Sequence, residues 1–329
     1  MDTIKDEPIR QLSEFQQNWA SLIRPLRRNR YCVEAADSIG GDAPKSFIRM
    51  QEYTPEQPGR AKRFWPYFIA KVGSKSYPNE SITEHLLTRV GEAFGVRMAS
   101  TQLRVVGTQV RVLSKYFLRR GAESLVHGIE VFKQYLDEEM VAAIAASRQE
   151  QVFYTFQTVV AAIKHAFPDH AGAILPGLVA MLAFDAIVGN NDRHPANWGV
   201  IVPVAKRPSP RFSPVYDTAR GMFWNVSEAQ VARILAEPVM LSAYIERSIP
   251  QIGWDGDESK VGHFELVSGI YQDFAGFRGV LDKLAEREPL ALCGRLIEEE
   301  FRHLMTDARR ELILRCLKSR HDRYLAAIS

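Results

Sequence analysis

The sequence predicts an α+β protein of two lobes, a small β-rich lobe first and a larger helical lobe after it. Three observations predict this. Up to residue 118, short apolar runs alternate with polar residues and are separated by turn residues. A single amphipathic segment interrupts them. Beyond residue 118 the apolar spacing turns helical and stays so. The chain has 329 residues, which suits two lobes sharing a cleft better than one core. The expected divisions are a helical preamble over 1–30, a small lobe over 31–118 and a helical lobe over 119–329.

Residues 9–28 read as a short helical preamble, and the charges of RPLRRNR (24–30) suit a solvated helix end. YCVEA (31–35) and KSFIRM (45–50) are strands around the turn SIGGDAP (38–44). A polar connector over 52–63 leads to the apolar strand FWPYFIAKV (64–72). SITEHLLTRVGEAFG (81–95) places Ile82, Leu86, Leu87, Val90 and Phe94 on one helical face, with Gly95 as its stop. TQLRVV (101–106) and QVRVLSKYF (109–117) form a hairpin about Gly107. Residues 137–167 and 171–189 are helical. WGVIVPV (198–204) and FSPVYD (212–217) are short strands around KRPSPR (206–211). From Ser227 onward the pattern is amphipathic helix, clearest in LIEEEFRHLM (296–305) and ELILRCLKS (311–319).

Composition narrows the class. The chain is 46% hydrophobic and 25% charged, as in ordinary globular proteins. A net charge of +3 gives little support for nucleic-acid binding. Three widely spaced cysteines, Cys32, Cys293 and Cys316, suggest neither a disulfide framework nor a zinc site, so a reducing cytoplasm is expected. The start, MDTIKDEPIRQLSEF, has no apolar core of a secretory signal, which leaves open a signal-independent route into a host. The apolar run over 171–188 is interrupted by Pro176, Gly177 and Asp185 and is not expected to span a membrane. Gly73-Ser-Lys-Ser76 lacks the upstream glycine of a Walker loop.

The chemistry concentrates in AIVGNNDRHPANWGVI (186–201). Asp192 is followed five residues later by Asn197, and twenty residues on by Asp217. Phosphoryl transfer needs a carboxylate to orient the attacking hydroxyl, and an Asn and a second Asp to hold metal on the phosphates. Hard oxygen ligands of this kind suit Mg²⁺. The small lobe should add a strand lysine and a helix glutamate. Lys71 ends its strand, and Glu84 lies early in the next helix, with Glu80 competing. A glycine-rich turn carrying Ser38, Gly40, Gly41 and Lys45 stands where backbone N–H groups can meet phosphates. Plainer roles exist for each part. Asp192 to Asn197 can form an Asx turn, Gly40-Gly41 a hairpin turn, and Lys71 can snorkel. His194, without a partner ligand, is expected to brace the loop together with Arg193. Trp65 and Trp198 are expected to pack. Arg320-His321-Asp322-Arg323 repeats the letters of the loop without the Asn and is expected to be a solvated helix end.

On SIGGDAPK (38–45), YFIAK (67–71), TEHLL…FGV (83–96), GNNDRHPANWGV (189–200) and SPVYD (213–217), the chain resembles the HipA-like serine/threonine kinases. The resemblance covers residues 31–225 and implies a protein-kinase-like fold acting with ATP and Mg²⁺ on a protein substrate. It implies that Asp192 is the catalytic base, that Asn197 and Asp217 hold the metal, and that Lys71, partnered by Glu84, meets the phosphates. Gly40, Gly41 and Lys45 would lie at the phosphates. Adenine would lie near a hinge at 114–117, which includes Ser114 and Tyr116. It also implies autophosphorylation at Ser38, and an antitoxin-type partner. The extra N-terminal subdomain of full-length members is expected to be largely missing. Thr-Ala-Arg-Gly follows Asp217, so an activation-loop switch is not expected. Two rival readings remain: a small-molecule or phosphoinositide kinase, and a non-catalytic pseudokinase module. No membrane-binding stretch supports a lipid substrate.

Overall fold

A computed structural model describes residues 22–34, 45–52, 61–73, 79–106, 109–146, 150–205, 208–256 and 260–329. Five antiparallel strands build the first lobe, in the order β1–β2–β3–β5–β4. They are β1 (Tyr31–Val33), β2 (Lys45–Met50), β3 (Tyr67–Val72), β4 (Thr101–Val106) and β5 (Gln109–Lys115). The register explains what each face does. Lys45 pairs with Lys71 and Phe47 with Ile69, while Lys71 pairs with Val112 and Ile69 with Ser114. Paired residues share a face and neighbours along a strand alternate. Lys45, Phe47, Ile69, Lys71, Val112 and Ser114 therefore line one side. Ile48, Phe68, Ala70 and Leu113 close a small apolar cluster on the other.

Helix α1 (Asn79–Ala93) packs against β4 and β5 and buries Ile82, Leu86, Leu87 and Val90. Its chain turns at Gly95, whose φ of 69° is one that glycine adopts freely. Of the expected helical preamble, residues 1–21 lie outside the described residues. Of the remainder, residues 24–27 run extended and Arg28–Arg30 make a single 3-10 turn. Pro25 bridges Val105, and the Leu26 N–H donates to the Val105 carbonyl at 2.8 Å. The leucine side chain fills the small cluster, so tertiary burial overrides the local pattern.

The second lobe begins with a strand where helix was expected. β6 (Glu123–His127) pairs with β7 (Gly199–Pro203), which pairs with β8 (Arg211–Phe212). The expected strand over 212–217 shortens to the end of β8 and a single bridge between Val215 and Met98. Helices follow: α2 (Gly128–Phe132), α3 (Glu138–Ala146), α4 (Glu150–Phe153), α5 (Phe156–Ala166) and α6 (Ala171–Val188). After the site come α7 (Glu228–Ala236), α8 (Pro238–Arg247), α9 (His263–Asp273), α10 (Arg278–Leu284), α11 (Glu288–Glu300) and α12 (Asp307–Ala327).

One apolar core runs from α1 and the inner face of β4 and β5 through α6 to α12. Helix α6 is continuous through Pro176 and Gly177, as the helical spacing over 171–189 predicts. It has the length and composition of a membrane span, but most of it is buried within the protein. Gly177 is the contact point for Phe212 of β8: a Cβ there would lie 2.6 Å from the Phe212 Cβ. The Arg320–Arg323 stretch also departs from expectation. Arg320 and His321 are fully buried in α12. The Arg320 guanidinium donates to the Ala186 carbonyl at 2.8 Å in the last turn of α6. Helix-end carbonyls receive a cation well, which lets a charged side chain enter the core.

Candidate active site

Helix α6 delivers the chain to the site. It ends at Gly189, left-handed at φ 66°, and the loop over 190–198 follows. Asp185, buried one turn before the helix end, would be costly alone. It is matched by Arg193, whose guanidinium donates to both Asp185 oxygens at 2.8 and 3.0 Å. The same guanidinium donates to the carbonyls of Asn197 and Tyr216, each at 2.7 Å. One buried arginine thus ties helix, loop and the segment before Asp217 together. Trp198 donates its indole N–H to the Tyr154 hydroxyl at 2.8 Å, and that hydroxyl donates to the Arg193 carbonyl. His194 closes the turn through its carbonyl, which accepts the Asn197 N–H at 2.8 Å.

The functional side chains meet above this support. Lys71 donates to Glu84 at 2.8 Å and to Asp217 at 3.1 Å. Glu84, not Glu80, is therefore the lysine's partner; Glu80 lies 3.2 Å from Arg220. Lys45 stands 4.0 Å from Asp217. Asn197 donates its Nδ2 to the Asp192 carbonyl at 2.9 Å, which leaves its Oδ1 for a ligand. Asp192 accepts from Gln251 Nε2 at 3.3 Å and has Arg220 at 3.9 Å. Asp217 is held at φ 57°, a left-handed conformation unusual outside glycine and one that Asp tolerates best.

Electrostatics separate the two aspartates. Burial would lift the Asp217 carboxyl, but the ammonium groups of Lys71 and Lys45 outweigh it and hold it down to about 2. Burial lifts the Asp192 carboxyl above the usual range, and the nearby Asp217 charge adds to this; His194 and Arg220 oppose it in part. Burial would lower Lys71, yet the Glu84 and Asp217 charges keep it protonated and raise it above the usual lysine range.

These side chains line a cavity of about 770 Å³ between the lobes. Lys45, Lys71, Glu84, Ser114, Tyr116, Asp192, Asn197 and Asp217 all border it. Ser38, Gly40 and Gly41 lie outside the described residues. Sequence reasoning did not single out Tyr216, His127, Arg220 or Gln251. The Tyr216 hydroxyl donates to the Ala196 carbonyl at 3.1 Å beside His127. Asp185 had one legible signal, a lone carboxylate in an apolar helix. Among the described residues no cluster of three His, Cys, Asp or Glu side chains forms a protein-only metal cage. Asp217 and the free Asn197 Oδ1 instead fit Mg²⁺, which takes few protein ligands and shares the rest with phosphate and water.

The fold and sequence have relatives. A Helicobacter pylori proinflammatory kinase, CtkA, has a crystal structure similar to this chain at a TM-score of 0.70 and 16% identity, covering 93% of this chain and 98% of that one. HipA of Shewanella oneidensis MR-1, solved as a toxin–antitoxin system with HipB and operator DNA, gives a TM-score of 0.47 at 14% identity. That match covers 88% of this chain and 64% of that one. The search of curated proteins gives no match. The family described as HipA-like C-terminal domain matches residues 37–245, well over half of the chain and every described side chain of the site except Gln251. The chain belongs to the family of HipA-like C-terminal domains.

Proposed function

We propose that this protein is an ATP- and Mg²⁺-dependent protein serine/threonine kinase. The observation that carries the reading is the convergence of Lys71, Glu84, Asp192, Asn197 and Asp217 on one interlobe cavity. Lys71, fixed by Glu84, would meet the phosphates of ATP, and the sheet face of Phe47, Ile69 and Val112 would receive the base near Ser114 and Tyr116. A bound magnesium ion, held by Asp217 and Asn197, supplies charge neutralisation of the phosphates. The acceptor hydroxyl oxygen attacks the γ-phosphorus. The new O–P bond forms as the bond to the β,γ-bridging oxygen breaks, and ADP leaves with that electron pair. The hydroxyl proton passes to Asp192. Catalysis of this kind is mostly positioning and electrostatic stabilisation.

Incubation with γ-labelled ATP, alone and with cell lysate, tests the reading. Label should appear on protein and fall about 10²- to 10⁴-fold in Asp192→Asn, with nucleotide binding retained. Label confined to a small molecule or lipid would replace the protein substrate. Nucleotide binding with no turnover would make the protein a binding module. Mass spectrometry of the labelled protein tests autophosphorylation at Ser38: an unmodified Ser38 removes that regulation. An antitoxin-type partner is a further part of this proposal, and co-purification with proteins of its own cell tests it.

A further inference from the structure

A second cavity of about 910 Å³ adjoins the first at Asp192, His194 and Arg220. It runs on from the loop over 190–198 to Met240, Tyr244 and Arg247 of α8, and to Ser248 and Gln251 beyond that helix. Lys71, Glu84, Asn197 and Asp217 border only the first cavity; Asp192 borders both. The base therefore stands at the junction of a donor side and another space large enough for a second reactant.

Two observations describe what that space would take. Gln251 donates its Nε2 to Asp192 at 3.3 Å, while its Oε1 is buried and has no hydrogen-bond partner among the described residues. A buried acceptor left unmatched is costly, and a turn of this half-buried side chain toward the cavity would let a peptide N–H match it. The second observation is charge. Arg220 is already engaged, by Glu80 at 3.2 Å and by stacking 4.0 Å over Trp224. Arg247, exposed at the end of α8, has a guanidinium with no ion pair or hydrogen bond among the described residues. Among the described residues, Asp192 is the only acid on the lining. A basic peptide would thus find no acid but the base itself, whereas a carboxylate would find a cation without a competitor.

We propose that this groove is the acceptor site and takes an extended peptide segment, with its serine or threonine over Asp192 and an acidic side chain at Arg247. This rests on the protein-kinase reading above. Gln251 acts as a positioning residue, holding one Asp192 oxygen and accepting a peptide N–H. The groove determines which hydroxyl reaches Asp192; the transfer from ATP is the one already written.

The test is a peptide library with one central serine or threonine, flanked by acidic, neutral or basic residues, assayed with ATP and Mg²⁺. The wild type should favour acidic peptides over neutral ones by about tenfold in kcat/KM. Arg247→Glu should remove or invert that ratio, with the effect in KM and with an unchanged thermal melt. Gln251→Leu should raise the peptide KM and shift the acid limb of the pH profile. Labelled peptides with no charge preference, or a preference that survives Arg247→Glu, would overturn the groove and leave the kinase reading standing. Transfer to metabolites alone, or no transfer at all, would overturn both.

Discussion

As the proposed base, Asp192 would carry two demands at once: it must be ionised to take a proton, yet basic enough to hold it. Its surroundings answer both. Burial and Asp217 push its carboxyl above the ordinary 3.8, while His194 and Arg220 restrain the rise. Asp217, by contrast, is held down to about 2 by Lys71 and Lys45 and stays ionised through the working range. Environment thus gives two identical side chains opposite shifts, which suit the base and the metal ligand of the proposed mechanism. The acid limb of kcat/KM should therefore report Asp192 and lie above 3.8, with activity lost as pH falls through it. Arg220→Met removes a charge that favours the ionised form, so the limb should move to higher pH. A limb that stays in place in this variant would assign it to another group. Arg193 makes a different contribution. Its ion pair with Asp185 is no strong source of net stability, because both charges lose their water. What it gives is geometry, since four acceptor atoms on three segments are fixed by one planar group.

Elements position the site through close approach. Helix α6 meets β8 where Gly177 lets Phe212 in. A glycine inside a helix ordinarily costs up to about 1 kcal/mol relative to alanine, so Gly→Ala usually stabilises. Here the added methyl would lie 2.6 to 2.9 Å from three Phe212 atoms, two of them the stiff Cβ and Cγ. Gly177→Ala should reverse the usual sign and destabilise by about 1–3 kcal/mol in urea unfolding. It should also lower kcat, because β8 leads directly to Tyr216 and Asp217. A stabilised variant would mean that β8 is free to shift. Helix α1 is held from outside as well. Arg89 on α1 donates to both oxygens of Glu300 at the end of α11, and Phe301 packs beside His85. The C-terminal segment thus supports the helix that carries Glu84. Little of this could be seen in the sequence. Asp192 and Asn197 were legible because their spacing is local, and the five strands of the first lobe because alternation is local. β6 was missed because Glu123–His127 alternates weakly and gains its shape from pairing with β7. Arg320 and His321 were misjudged because charged letters usually mark a surface. The Ala186 carbonyl of α6 and the Ile245 carbonyl of α8, both distant in sequence, show why Arg320 is buried.

At the scale of the molecule, the continuous core makes both lobes subject to the same acid sensitivity. Among the described residues, burial lowers three histidines packed in or against it, His85, His263 and His321. Burial holds His85 down to about 4 and pushes His263 well below its ordinary 6.5. Around His85, Glu300 raises the value, and Arg89 and Arg104 lower it further. Around His263 the nearby charge is the Arg320 guanidinium, which also disfavours a second cation. The unfolded chain takes up protons on these rings as pH falls below 6.5, and the folded chain resists doing so. The stability that these rings contribute is complete above 6.5 and is lost as pH falls toward 4. Glu123 adds a later loss. Despite burial, its carboxyl is held to about 2 by the Arg119 backbone and by Arg211 and Arg119 side chains, so its contribution fades between 4.5 and 2. Urea midpoints should accordingly stay level near neutrality and fall from about pH 6.5 downward. His263→Leu discriminates this cause from general charge repulsion. His263 Nε2 is buried and has no hydrogen-bond partner among the described residues, so an apolar replacement strands no partner of that atom. The variant should match or exceed the wild type at pH 7 and lose less between pH 6.5 and 5. An identical slope in the variant would place the acid sensitivity outside the core histidines, in the net positive charge that the whole chain acquires as its carboxylates protonate.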